Sequence, residues 1–432
     1  MNKFLRLIIL IIIVATNTRL LAAEPEQASQ EEQRLREIIR EELEKLEFEK
    51  ESEKADNIFS KVDIHGFISQ GYIKSSDNNF LVDSKDGSLE FNEMGINFST
   101  QISNNLRVGM QLFSRDLGDV GNNDVVLDWA YGDYRFENWL GMRIGKIKVP
   151  MGLYNETRDA DMLRTSILLP QSVYNEQIRD STASLSGVGL YGDIATEGLG
   201  LFSYQGYWGY DDSDEESGMA RLILSLIPNS HITDISSNQA YCGNIMWETP
   251  AEGLRTGFSL IHLDITLDTQ LDSAMPLSPV LTLPSGTNME QELESLSLMI
   301  FSVEYTWNDL VLASEYQRMR ANALLTAQMA APAGAMTLQD YTLEREGYYL
   351  SASYRVNDWF KPGVYYSVNE NPDNRTNTRD IALTTRFDLS ENWTFKLEAH
   401  YMDGTEIVLT HDNPEGTDET WYVFMAKMTY SF

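Results

Sequence analysis

Trp421-Tyr422-Val423-Phe424-Met425-Ala426-Lys427-Met428-Thr429-Tyr430-Ser431-Phe432 ends the chain, and every even position in it is aromatic or apolar. Side chains two apart on a strand share a face, so this run carries one continuous apolar face and finishes on an aromatic. It reads as the closing strand of a transmembrane β-barrel. The plainer alternative is an ordinary edge strand.

The opposite end fits an exported protein. Lys3 and Arg6 precede the apolar run Leu7 to Ala15, and Ala22-Ala23 comes before an acidic stretch, so residues 1–23 read as a signal peptide. No later segment reaches the 18 or so apolar residues that a membrane helix needs, so a membrane location requires a barrel. Removing 1–23 takes away Lys3, Arg6 and Arg19, moving the formal charge from -32 to -35 (-32 minus 3). Such acidity argues against nucleic acid as a partner, and acidic outer loops account for it most simply. Cys242 is the single cysteine, which excludes an intramolecular disulfide and a C-x-x-C-H haem site.

Residues 24–59 have a different character. Glu24 to Asp56 holds 13 acids and 6 bases, and Leu35, Ile38, Ile39, Leu43 and Leu46 recur at helical spacing. This predicts a short amphipathic helix. It either self-associates as a coiled coil or lies singly against the barrel or the cell wall.

From residue 60 to 432 the chain alternates between apolar-patterned strands and two kinds of turn. Seven short turns lie at 103–105, 137–138, 196–198, 249–253, 308–309, 357–358 and 390–392. Eight longer polar connections lie near 75–89, 116–123, 149–185, 211–231, 268–291, 323–343, 371–378 and 406–418. Seven plus eight turns join 16 strands with both barrel ends on the short-turn side, which is the parity of an all-β, antiparallel transmembrane barrel. Trp139, Trp247, Trp307, Trp359 and Trp393 sit beside short turns, where a periplasmic aromatic girdle belongs. Strands such as Leu106 to Leu112 set Val108 and Met110 against Arg107, Gly109 and Gln111, which predicts a lipid face and a wet lumen. Residues 219–226 fit either a helix in an outer loop or a strand that would raise the count to 18; the helix is preferred because the next strand would be short and polar.

The connection 149–185 carries the functional reading. It mixes Glu156, Arg158, Asp159, Asp161 and Arg164 with Ile167, Leu168 and Leu169, too apolar a content for a loop in water. Folded into the barrel, its charges would face the wall cations Arg107, Arg115, Arg143 and Lys146. Opposed charges across a waist make a transverse field that orients and sorts permeating solutes. The alternative is that these charges pair with one another and only fix the loop.

These features, with Asp63 to Tyr72 and Gly145 to Tyr154, resemble bacterial outer-membrane porins over roughly residues 60–432, and the N-terminal helix resembles that of DcaP-type trimeric porins. The resemblance implies a homotrimer in lipid bilayer and lipopolysaccharide, a periplasmic coiled coil, and passive passage of small hydrophilic, often anionic, solutes. The acidic total would favour cations instead. The five histidines are scattered, with no H-E-x-x-H or G-x-S-x-G, so no enzyme, metal or cofactor is expected. A structural tether joining membrane to cell wall through the helix is the competing role.

Overall fold

The computed structural model describes residues 61–432, except 119, 212–214, 216, 225–226, 228, 279 and 330–333. The signal peptide 1–23 and the helix 24–59 lie outside the described residues. The first strands are β1 (Val62–Ser75), β2 (Phe91–Gln101), β3 (Leu106–Leu117), β4 (Val125–Glu137), β5 (Leu140–Lys148) and β6 (Ser184–Thr196). Then come β7 (Gly200–Tyr210), β8 (Ser230–Glu248), β9 (Leu254–Leu271), β10 (Met275–Ser278), β11 (Leu281–Leu283) and β12 (Asn288–Trp307). The last are β13 (Leu310–Met329), β14 (Gly334–Tyr354), β15 (Phe360–Asn371), β16 (Thr376–Asp388), β17 (Trp393–Gly404) and β18 (Thr420–Ser431).

Sixteen of these form a closed barrel, with β9 pairing directly to β12 and β10–β11 set apart as a small hairpin. β1 seals against β18 in antiparallel register, Phe67 opposite Ser431 and Ser75 opposite Val423. All seven short turns fall where the sequence places them, and residues Gly218–Leu224 form the preferred outer-loop helix.

The period-two pattern sets the faces. On β18, Tyr422, Phe424 and Tyr430 are exposed, as is Phe432 just beyond it, while Trp421, Val423, Met425, Lys427 and Thr429 are at most 2% exposed on the inner side. Trp139, Trp307, Trp359 and Trp393 are exposed at the short-turn rim, as a girdle requires.

Three expectations change. The connection 323–343 is mostly strand: β13 and β14 pair from Leu310 opposite Tyr354 to Met329 opposite Gly334, because Ala321, Ala323, Leu325 and Ala327 bury a small-residue inner face that reads as loop in a linear scan. Within 268–291, the hairpin β10–β11 replaces unstructured chain. Since about 9 to 11 residues cross a bilayer, β8, β9, β12, β13 and β14, at 18 to 21 residues, project beyond it on the long-loop side by roughly 20 Å. The lumen is also less polar than expected. On that side Trp421, Val423 and Met425 pack with Ile73, Phe80, Phe91, Ile407 and Val408 from the wall and neighbouring loops.

Candidate functional site

The segment between Lys148 and Ser184, hereafter loop 3, lies inside the barrel, because its partners are the inward residues of strands around most of the circumference. Its apolar middle shows how it crosses. Ile167 and Leu168 pack in the cluster with Trp421 and Met425 of β18, while the next residue, Leu169, joins Val173 and Tyr174 in a second cluster with Ile261 of β9 and Ile300 of β12. Burial of side chains this size stabilises by about 1.5 to 3 kcal/mol each, so hydrophobic contact holds both sides of the crossing.

Hydrogen bonds fix the backbone at two wall carboxylates. On β17, Glu398 accepts the N–H of Ile167 at 2.6 Å and of Leu168 at 3.2 Å. Both ring nitrogens of His400 face acids, Nε2 toward Glu398 and Nδ1 toward Asp380, each at 3.0 Å. On β13, Glu315 accepts the N–H of Leu153 at 2.9 Å and hydroxyls from Tyr174 at 2.5 Å, Ser302 at 2.5 Å and Tyr349 at 2.8 Å. Gly152 makes this approach feasible: its φ is 57°, and a Cβ there would stand 2.5 Å from both Glu315 Oε1 and the Tyr174 hydroxyl. Its N–H donates to Ser259 of β9 at 3.0 Å.

The charged residues of the loop are largely paired. Asp161, 2% exposed at its side chain, meets Lys427 at 2.9 Å, Lys396 at 3.2 Å and Arg164 at 3.2 Å, and accepts the Thr429 hydroxyl at 2.8 Å. Burial alone would raise its carboxyl, but Lys396 and Lys427 override this and hold it well below the usual carboxylate range. Asp159 pairs with Lys148 at 2.5 Å and with Arg179, and it is likewise held down against burial by those two cations. Arg158 pairs with Glu176 at 2.8 Å, and Arg115 of β3 meets Glu176 at 3.5 Å and Asp180 at 2.7 Å. For Glu176 burial again acts upward, and Arg158, Arg179 and Arg115 bring the carboxyl down to about 2.

Glu156 is different. Its exposed carboxylate accepts the Gln205 amide at 2.9 Å, and among the described residues no ion pair reaches it. Of the wall cations, Arg107, Arg115 and Arg143 sit on inward positions: Arg107 opposite Asp133, Arg115 opposite Glu93, and Arg143 bound to Asp133 at 3.0 Å. Lys146 does not join them. It lies three residues from Arg143, on the opposite face, paired with Ala130 and Ser186 on strands whose same-face residues Tyr134 and Leu190 are exposed.

Sequence reading assigns no loop-holding role to Glu93, Glu176, Arg179, Glu315, Lys396, Glu398 and Lys427. A polar residue at an inward position of an otherwise apolar-patterned strand was the available signal, but the partner across the lumen is fixed only by the closed register.

Two cavities adjoin loop 3. A cavity of about 450 Å³ on the long-loop side is bounded by Leu81, Val82, Leu117, Leu409 and His411. One of about 300 Å³ on the short-turn side is bounded by Trp129, Tyr131, Arg143, Lys148 and Glu156. Charge pairs ring the short-turn half of the lumen: Arg135 with Asp193 at 3.7 Å, Arg255 with Glu304 at 2.8 Å and Lys361 with Asp388 at 2.8 Å.

Comparison with known proteins agrees on architecture. No known family profile matches the chain. An uncharacterised protein of Aquifex aeolicus is 22% identical over 303 residues, 68% of this chain and 62% of the relative, so the match spans less than two thirds of that relative's length. Among solved structures, an anion-selective porin from Comamonas acidovorans aligns with a TM-score of 0.54 at 12% identity, covering 86% of this chain and 99% of that one. The outer-membrane channel DcaP of Acinetobacter baumannii gives 0.51 at 10%, and OmpF of Salmonella typhi in complex with daunomycin gives 0.51 at 12%; each covers 86% of this chain and 97% of its own. Identities this low establish a shared fold: a 16-stranded barrel of the outer-membrane porin type.

Proposed function

We propose that this chain is an outer-membrane porin through which small hydrophilic or charged solutes diffuse passively, with loop 3 as the element that narrows the path. One observation carries the reading. A closed barrel with a charged short-turn half holds a loop across its lumen by contacts on several sides, and a wall built only as an anchor has no use for such a loop. Within this reading Glu156, Arg107 and Arg143 meet the passing solute. Arg158, Asp159, Asp161, Arg164 and Arg115 hold the loop in shape.

The same reading assigns residues 1–23 to export, the helix 24–59 to the periplasm, and the barrel to a homotrimer in lipid and lipopolysaccharide. Catalysis is not part of it: both nitrogens of the buried His400 are committed to carboxylates, so it cannot serve as a base toward a serine. The acidic outer loops favour entry of cations over anions.

Single-channel recording on the purified chain tests the proposal. Steady conductance in sets of three is expected, with a reversal potential in a salt gradient of cation-selective sign. A barrel that seals the bilayer would remove the channel reading and leave the tether.

A further inference from the structure

The chamber on the short-turn side of loop 3 has an uneven charge balance and an aromatic wall. Its cations are already matched: Lys148 by Asp159 at 2.5 Å and Asp128 at 3.6 Å, Arg143 by Asp133 at 3.0 Å. Arg143 is fixed further by the Tyr207 hydroxyl at 2.8 Å and by Gln205 Oε1 at 3.3 Å. The same Gln205 side chain gives its amide N–H to Glu156, so the amide points its acceptor at the cation and its donor at the carboxylate. Beside these pairs Glu156 is the exposed carboxylate of the chamber, and among the described residues no cation pairs with it. Trp129 and Tyr131, ring centroids 5.3 Å apart, form the adjoining wall.

An exposed carboxylate beside electron-rich ring faces suits a cation with a flat apolar body. The charge gains an ion-pair partner, and the ring gains stacking and cation–π contact. A volume of about 300 Å³ admits a molecule of one or two rings. We propose that this chamber is a subsite for small aromatic cations, with the ammonium or amidinium group at Glu156 and the ring on Trp129 and Tyr131. The subsite deepens the porin reading and rests on it.

The test uses the full chain in planar bilayers, with three probes added on the short-turn side: benzylammonium, cyclohexylmethylammonium and benzoate. Benzylammonium should interrupt the current at about tenfold lower concentration than benzoate, through the charge, and at about threefold lower than cyclohexylmethylammonium, through the ring. Glu156→Gln should erase most of the first ratio and keep the second. Trp129→Phe should retain the second ratio in part, and Trp129→Ala should lose it. Equal block by benzylammonium and benzoate, or ratios untouched by Glu156→Gln, would overturn the subsite while leaving the channel intact. A chain that passes no steady current would instead overturn the porin reading and the subsite with it.

Discussion

The two wall anchors of loop 3 do the same mechanical job with opposite electrostatics. At β17 and β18 the loop enters a dense ionic network, where Asp161 sits among Lys396, Lys427 and Arg164 and Glu398 holds the adjoining N–H groups beside His400. At β13 the carboxylate of Glu315 is 1% exposed and is met only by neutral donors: one loop N–H and three hydroxyls. A buried ionic network adds little net stability over apolar packing, yet it fails badly when one member is removed. A carboxylate ringed by hydroxyls loses its bonds one at a time. The ionic end therefore selects one loop position sharply, and the neutral end tolerates change.

The comparison can be broken at several levels. Replacing residues 149–185 by a short turn removes both anchors and should raise single-channel conductance several-fold; unchanged conductance would mean that the loop does not narrow the path. Asp161→Asn leaves two lysines and an arginine facing one another out of water, a loss of about 3 to 5 kcal/mol. It should appear as a lower melting temperature in detergent and a noisy, enlarged current. Glu315→Gln keeps an acceptor but turns an amide NH2 toward hydroxyl neighbours, costing about 1 to 3 kcal/mol. If that variant proved more damaging than Asp161→Asn, the contrast between the anchors would be reversed.

Acid gives a gentler probe. The Glu176 carboxyl is depressed from 4.5 to about 2, so its contribution to loop seating is complete above 4.5, fades as pH falls between those values, and is gone below about 2. Asp159 and Asp161, also held down, follow the same sign. Current noise at pH 5 should thus match that at pH 7 and grow only below about 4; a transition between pH 5 and 6 would show that other groups control the loop. The smallest effect concerns the wall. Lys146→Gln should leave the reversal potential unchanged, whereas Arg143→Gln should shift it further toward cations.

Most of the barrel was legible in the chain, because lipid and lumen impose a two-residue period and the short turns carry Asn, Asp, Gly and flanking tryptophans. The small inner face of β13, built from Ala321, Ala323 and Ala327, hid its strand character, since alanine signals neither lipid nor water. For loop 3, the sequence showed an apolar, charged segment that had to be buried, and the structure places it inside. It could not show which charges cancel. Glu398 and Glu315 look like any inward acid until closure of the barrel brings Ile167 to one and Leu153 to the other. Lys146 sits on the opposite face of β5 from Arg143, although Lys148, of the same parity, reaches Asp159 and Asp128 at the end of the strand.

Amide hydrogen exchange across residues 149–185 of the purified chain reads the central claim directly, since the N–H groups of Leu153, Ile167 and Leu168 are bonded to wall carboxylates inside the barrel. Peptides covering them should exchange as slowly as strand Trp393–Gly404. Exchange as fast as the exposed turn at Ser390-Glu391-Asn392 would place the loop in solvent and contradict the account.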